Sequence, residues 1–99
     1  MFNTITMDEM MRLKDIHILD VREQDEYLSD GYIEGSTLIP LSRLHTSTDQ
    51  LDKDTPYHVV CYSGSRSQMA CMILAQQGYN VINVLGGMSA YNRRLVYEM

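Results

Sequence analysis

A chain of 99 residues has room for one domain, residues 1–99, and for a core that claims most of its apolar side chains. Its 8 basic against 13 acidic residues, a net charge of −5, exclude a generic nucleic-acid or anionic-membrane surface, because both need dense positive charge. No apolar run reaches the roughly 20 residues of a bilayer span, and Met1 to Ile5 has neither the basic flank nor the apolar stretch of a secretion leader, so a cytoplasmic protein is expected.

Taken in chain order, the pattern alternates short apolar runs with helix-like segments. Thr6-Met7-Asp8-Glu9 reads as a capping box that opens a helix through Met10, Met11 and Leu13. His17 to Val21 is a short buried strand. Glu23 to Leu28 has the composition of a brief helix, stopped by Ser29-Asp30-Gly31. Ser36 to Ile39 suits a second strand ended by Pro40, and Leu41 to Leu44 a further short helix. Residues 45–55 are polar and predict a surface loop. Pro56 to Val60 is the third strand. Ser67 to Gln77 is the strongest helix, with Met69, Met72, Ile73 and Gln76 at helical spacing and Gly78 at its stop. Asn80 to Val84 is the last strand, and Gly86-Gly87 turns the chain into a helix from Met88 to Tyr97. This β-α alternation predicts an α/β fold with a parallel sheet covered by helices.

The chemistry concentrates in Val59-Val60-Cys61-Tyr62-Ser63-Gly64-Ser65-Arg66-Ser67. A buried strand ends at Cys61, a small polar loop comes next, and the long helix begins near Ser67. In open α/β sheets ligands bind beyond the carboxyl ends of strands, where loops enter helices. Such a loop presents peptide N–H groups to an anion, and the helix dipole adds to the attraction. Gly64 gives the loop backbone freedom to turn, so its amides can gather around an anionic sulfur. That setting favours the thiolate of Cys61, the reactive form of cysteine. Arg66 brings a permanent charge and a planar fork of donors suited to oxyanions.

A thiolate so placed attacks the outer sulfur of a thiosulfate-like donor and becomes a persulfide, which a thiol or cyanide then collects. The expected site is therefore Cys61 as nucleophile, with Tyr62, Ser63, Gly64, Ser65 and Arg66 binding the substrate. Cys71, between Ala70 and Met72, is expected to be core. The two cysteines form no disulfide framework, and His17, His45 and His58 are too scattered for a zinc site, so neither metal nor cofactor is expected. The eight methionines, Met69 and Met72 included, read as adaptable core filling. Tyr62 is expected at the pocket mouth and Arg43 at the surface.

This loop resembles the active-site loop of the rhodanese family, and three further segments agree in order. Leu19-Asp20-Val21-Arg22 with Glu26-Tyr27 resembles the family's first motif. Gly31-Tyr32-Ile33-Glu34-Gly35 through Ile39-Pro40 resembles its glycine-x-isoleucine-x-glycine run, and Leu85-Gly86-Gly87-Met88 with Tyr91 its C-terminal motif. The resemblance spans residues 4–93. It implies a parallel sheet of about five strands with helices on both faces, Cys61 as persulfide carrier and the loop from Tyr62 to Arg66 as anion cradle. It also implies that Asp20, Arg22 and Glu26 brace the first strand–helix turn, as a near-surface pairing worth little individually. Tyr32, Leu38 and Tyr91 depart from the family's usual histidine, asparagine and tryptophan, which leaves substrate preference open.

Two other readings remain. Cysteine phosphatases and arsenate reductases also cradle an oxyanion with a cysteine loop, but place arginine one position further along, usually with histidine before the cysteine; here Val60 precedes Cys61, and no loop Asp offers a general acid. A binding module, or a relay between a protein donor and a protein acceptor, is the second. The partners expected are a small anionic sulfur donor and a thiol acceptor, with a sulfur-relay protein as alternative and no nucleic acid or membrane.

Overall fold

The computed structural model describes residues 1–97. The sheet is built from β1 (Asn3–Thr6), β2 (His17–Asp20), β3 (Thr37–Leu38), β4 (Tyr57–Val60) and β5 (Val81–Leu85), all parallel, in the order β1-β5-β4-β2-β3. The α-helices are α1 (Met7–Met11), α2 (Gln24–Asp30) and α3 (Ser65–Gln76), with single 3-10 segments at Leu41–Thr46, Thr48–Gln50 and Gly87–Ala90. No helix of the described residues is long and apolar enough to cross a membrane.

The capping box forms as the sequence predicts: the Glu9 amide donates to Thr6 Oγ1 at 3.1 Å and the Thr6 amide to Glu9 Oε1 at 2.8 Å. The helix it opens stops at Met11, before Leu13. The residues ahead of it, which the sequence pattern assigns to no element, form edge strand β1. Their burial is slight, so no apolar alternation marks them; pairing with β5 holds them.

Alternation along β4 sends Tyr57, Val59 and then Cys61 to one face of the sheet and Val60 to the other. The first face packs on Ala70, Cys71 and Leu74 of α3; the second packs on Met7, Met10 and Met11 of α1. The buried stripe of α3 is Ser67, Ala70, Cys71 and Leu74, whose small members let the helix approach the strands closely. Met69 and Met72 lie off that stripe and are 51% and 49% exposed, so the expectation that they fill the core fails. Hydrophobicity alone is misleading there. Met7, Met10 and Met11 do fill the core.

The helix expected from Met88 to Tyr97 does not form. After the 3-10 turn Tyr91 is extended, at φ −79° and ψ 126°. The tail finds its backbone partners in Tyr32 instead: Tyr32 N donates to Val96 O at 2.9 Å and Val96 N to Tyr32 O at 2.8 Å.

Connections leave the sheet centre in opposite directions. β2 runs through α2 to β3 at one edge, and β4 runs through α3 to β5 on the other side. The divergence opens a crevice between the carboxyl ends of β2 and β4, where ligands of such sheets bind. Asp20 and Arg22 stand at this place and are each 1% exposed, a buried pair rather than the near-surface brace expected. Arg22 Nη2 donates to Asp20 Oδ2 at 2.8 Å and to Gly31 O at 2.9 Å, and its Nε reaches both carboxylate oxygens.

These contacts set two expectations for stability. Asp20→Asn leaves a guanidinium buried without its counter-charge and should cost about 3–5 kcal/mol in urea unfolding; a loss below about 1 kcal/mol would show that the pair adds little. Among the described residues buried His58 has no hydrogen-bond partner for Nδ1, and burial holds its pKa below the ordinary 6.5. The unfolded chain therefore takes up this proton before the folded one does, so stability should fall as pH drops below about 6.5. Urea titrations of the protein and of His58→Leu between about pH 7.5 and pH 5 should show a flatter pH profile in the variant. Parallel profiles would remove His58 as the cause.

Candidate active site

Cys61 comes directly after β4 and is fully buried against the α3 face of the sheet. Its sulfur is not in purely aliphatic surroundings. The Gly64 amide donates to Sγ at 3.0 Å and the Ser67 amide at 3.3 Å, while the thiol lies 3.6 Å from Ser67 Oγ as donor. Both amides belong to the entry of α3, where peptide N–H groups lack helical acceptors and the helix dipole adds positive potential. Gly64 is the N-cap and sits at φ 112°, a left-handed conformation closed to most L-residues, and this turns its N–H back on the sulfur.

Two buried polar side chains stand behind the sulfur. Ser67 Oγ donates to Asn83 Oδ1 at 2.6 Å, with Gly64 O as a second acceptor at 3.0 Å, which fixes the serine at the first turn of α3. The sequence pattern places neither residue in the site. A signal exists for Asn83: it is the polar residue in an otherwise apolar strand, and it is 2% exposed. Ser67 is visible in the sequence only as a helix start.

A second grip comes from the turn after β5. Met88 N donates to Cys61 O and Ser89 N to Tyr62 O, both at 2.8 Å. Gly87 sits at φ 49°, and a Cβ there would overlap the Cys61 carbonyl oxygen and stand 2.9 Å from that of Tyr62. The glycine pair that the sequence suggests as a helix entry is thus a clamp on the cysteine's backbone.

The remaining predicted residues divide. Tyr62 is exposed and lines a cleft of about 370 Å³ with Arg22, Asp30, Gly31, Met88 and Leu95. Ser63 and Ser65 are exposed. Arg66 turns its fork to Glu26: Nη1 donates to Oε1 at 2.6 Å and Nη2 to Oε2 at 2.9 Å. Glu26 therefore braces Arg66 as well as its own helix, where it accepts from the Glu23 amide at 3.0 Å. Its carboxyl is held down to about 2, first by the hydrogen bonds from Arg66. Cys71 is buried in the core as expected, and burial, with the charge of Cys61, pushes its thiol up to about 12. Arg43 lines a separate groove with Gln24 and Pro40, away from the cysteine loop.

Comparison with known proteins agrees across the chain. The family model described as Rhodanese-like domain matches residues 5–94. The putative sulfurtransferase YtwF of Bacillus subtilis is 37% identical over 78 residues, covering 79% of this chain and 75% of its own. The thiosulfate sulfurtransferase GlpE of Coxiella burnetii is 32% identical over 84 residues, covering 84% and 78%. The crystal structure of a rhodanese-like domain protein from Staphylococcus aureus superimposes with a TM-score of 0.91 at 31% identity, covering 99% of this chain and all of its own.

The clamp is directly testable. Gly87→Ala should displace the Cys61 carbonyl and lower stability by about 1–3 kcal/mol. Amide NMR should show the Gly64 and Ser67 resonances moving with it. Unmoved resonances would mean that the turn after β5 does not hold the loop.

Proposed function

The chain belongs to the rhodanese-like family, and on that premise we propose that it is a sulfurtransferase carrying sulfur as a persulfide on Cys61. The observation that carries this reading is the convergence of the Gly64 and Ser67 amides on Sγ at the entry of a three-turn helix. Hydrogen bonds from peptide N–H groups to an ionised acceptor are among the stronger ones a protein makes. The same two amides can hold the negative charge of a persulfide on Cys61.

In the first half-reaction the Cys61 thiolate attacks the outer sulfur of a sulfane donor such as thiosulfate. The new Cys61 S–S bond forms as the donor's S–S bond breaks, and sulfite departs with the electron pair. In the second, a thiol or cyanide attacks the terminal sulfur, takes it as a persulfide or thiocyanate, and returns the thiolate. Tyr62, Ser63, Gly64, Ser65 and Arg66 line the approach, while Ser67 and Asn83 hold the helix entry behind the sulfur. Exposed Tyr62 beside the cysteine also suits a protein donor or acceptor, which makes a sulfur relay the alternative reading. A reducing compartment such as the cytoplasm suits a free thiolate. A phosphatase reading is weaker, since the loop carries no carboxylic acid to protonate a leaving alkoxide.

Intact-mass and peptide mapping after exposure to thiosulfate, polysulfide and a low-molecular-weight persulfide tests the proposal. The protein should gain about 32 Da, one sulfur atom, on the Cys61 peptide. Cys71→Ser should load equally and Cys61→Ser should not load. Loading on Cys71, or full transfer activity in Cys61→Ser, would end it.

A further inference from the structure

The two arginines of the crevice each hold a carboxylate of their own. Arg22, at the end of β2 beside the cysteine strand, is paired with Asp20 through Nε and Nη2 and also donates to Gly31 O. Arg66, the cation of the loop itself, has both terminal nitrogens bound by the two oxygens of Glu26. The other loop residues, Tyr62 to Ser65, are uncharged, and Asp30 lines the cleft beside Tyr62. The mouth of the site is therefore close to electrically neutral, on a chain of net charge −5. A thiosulfate dianion gains little from such a mouth, and sulfite, the leaving group, gains little as it forms.

We propose that Glu26 sets donor selectivity: by occupying the fork of Arg66 it makes the site favour sulfane donors of low net charge, hydropersulfides above all, over thiosulfate. This rests on the sulfurtransferase reading. With a hydropersulfide RSSH, the Cys61 thiolate attacks the terminal sulfur, the donor S–S bond breaks, RS⁻ leaves with the electron pair, and Cys61–S–SH forms. No sulfonate has to be bound. Glu26 is a positioning residue here: it touches Arg66 and not the reacting sulfur.

The test measures kcat and KM for thiosulfate and for cysteamine persulfide, whose ammonium balances its perthiolate so that the net charge is zero, in the protein and in Glu26→Gln. Freeing Arg66 should raise kcat/KM for thiosulfate about three- to tenfold, mainly through KM, with the gain lost at high salt. Cysteamine persulfide should change less than about twofold. Arg66→Ala should abolish the effect of Glu26→Gln, and Glu34→Gln, which removes an exposed charge elsewhere, should move neither donor. Parallel changes for both donors, or no gain for thiosulfate, overturn the proposal. A second measurement needs no variant: kcat/KM of the unaltered protein for thiosulfate should stay flat or rise with ionic strength, and a steep fall would show an unneutralised cation at the mouth. Loading of Cys61 by either donor, with these ratios unmoved, sinks the selectivity proposal alone. Failure of every donor to load Cys61 sinks the underlying reading.

Discussion

Two peptide N–H groups on one buried sulfur are the contact from which the rest of the site takes its shape. A polar group in an apolar core is costly unless hydrogen bonds replace its lost water. Those on Sγ come from the start of α3, so the helix has to begin where β4 has just ended, with a loop short enough to bring the chain back over Cys61. Gly64 makes that loop possible by taking a left-handed backbone conformation. The 3-10 turn at Gly87–Ala90 then fixes the other end of the geometry by binding the carbonyls of Cys61 and Tyr62. Sulfur, loop and clamp are supplied in chain order by the end of β4, the entry of α3 and the turn after β5.

Topology explains why a second set of groups meets the first. β2 and β4 are neighbours in register, Asp20 opposite Val60, yet the helices they lead into depart in opposite directions. The turn and helix that β2 leads into therefore overhang the cysteine loop at the end of β4. Arg22 and Glu26 come from the one side, Cys61 and Arg66 from the other, and the Glu26–Arg66 pair joins residues 40 apart in sequence. Neither half of the site could be assembled without the strand order.

The sequence disclosed those parts of this arrangement that are written locally. The Thr6 capping box, the apolar runs of β2 and β4, the cysteine at a strand end and the glycine in its loop each depend on a few adjacent residues, and each appears where expected. Cys71 as core is legible from its neighbours Ala70 and Met72. The features that escaped are non-local. β1 is barely buried and exists through pairing with β5. The tail from Met88 has helix-compatible composition, but Tyr32 supplies it with extended pairing. Met69 and Met72 share the helical period of the core stripe yet stand one position off it. Which carboxylate pairs with Arg66 is decided by the overhang of α2, and no local pattern encodes that.

The two arginine–carboxylate pairs of the crevice look alike in composition and differ in what they do, because their exposure differs. Asp20 and Arg22 are dry, at 1% each, so their mutual attraction is barely screened and removal of either strands a charge in the core. That pair is committed to the frame. Glu26 and Arg66 are about a third exposed, at 30% and 34%, where solvent and salt screen the attraction and the net contribution to folding is small. Their geometry is nevertheless tight, since one Glu26 oxygen serves both the cap of α2 and the fork of Arg66. A pair that adds little to stability but cancels the charge of the loop's cation beside Cys61 is poorly explained by folding. On the selectivity proposed above, its effect falls instead on the ions that approach.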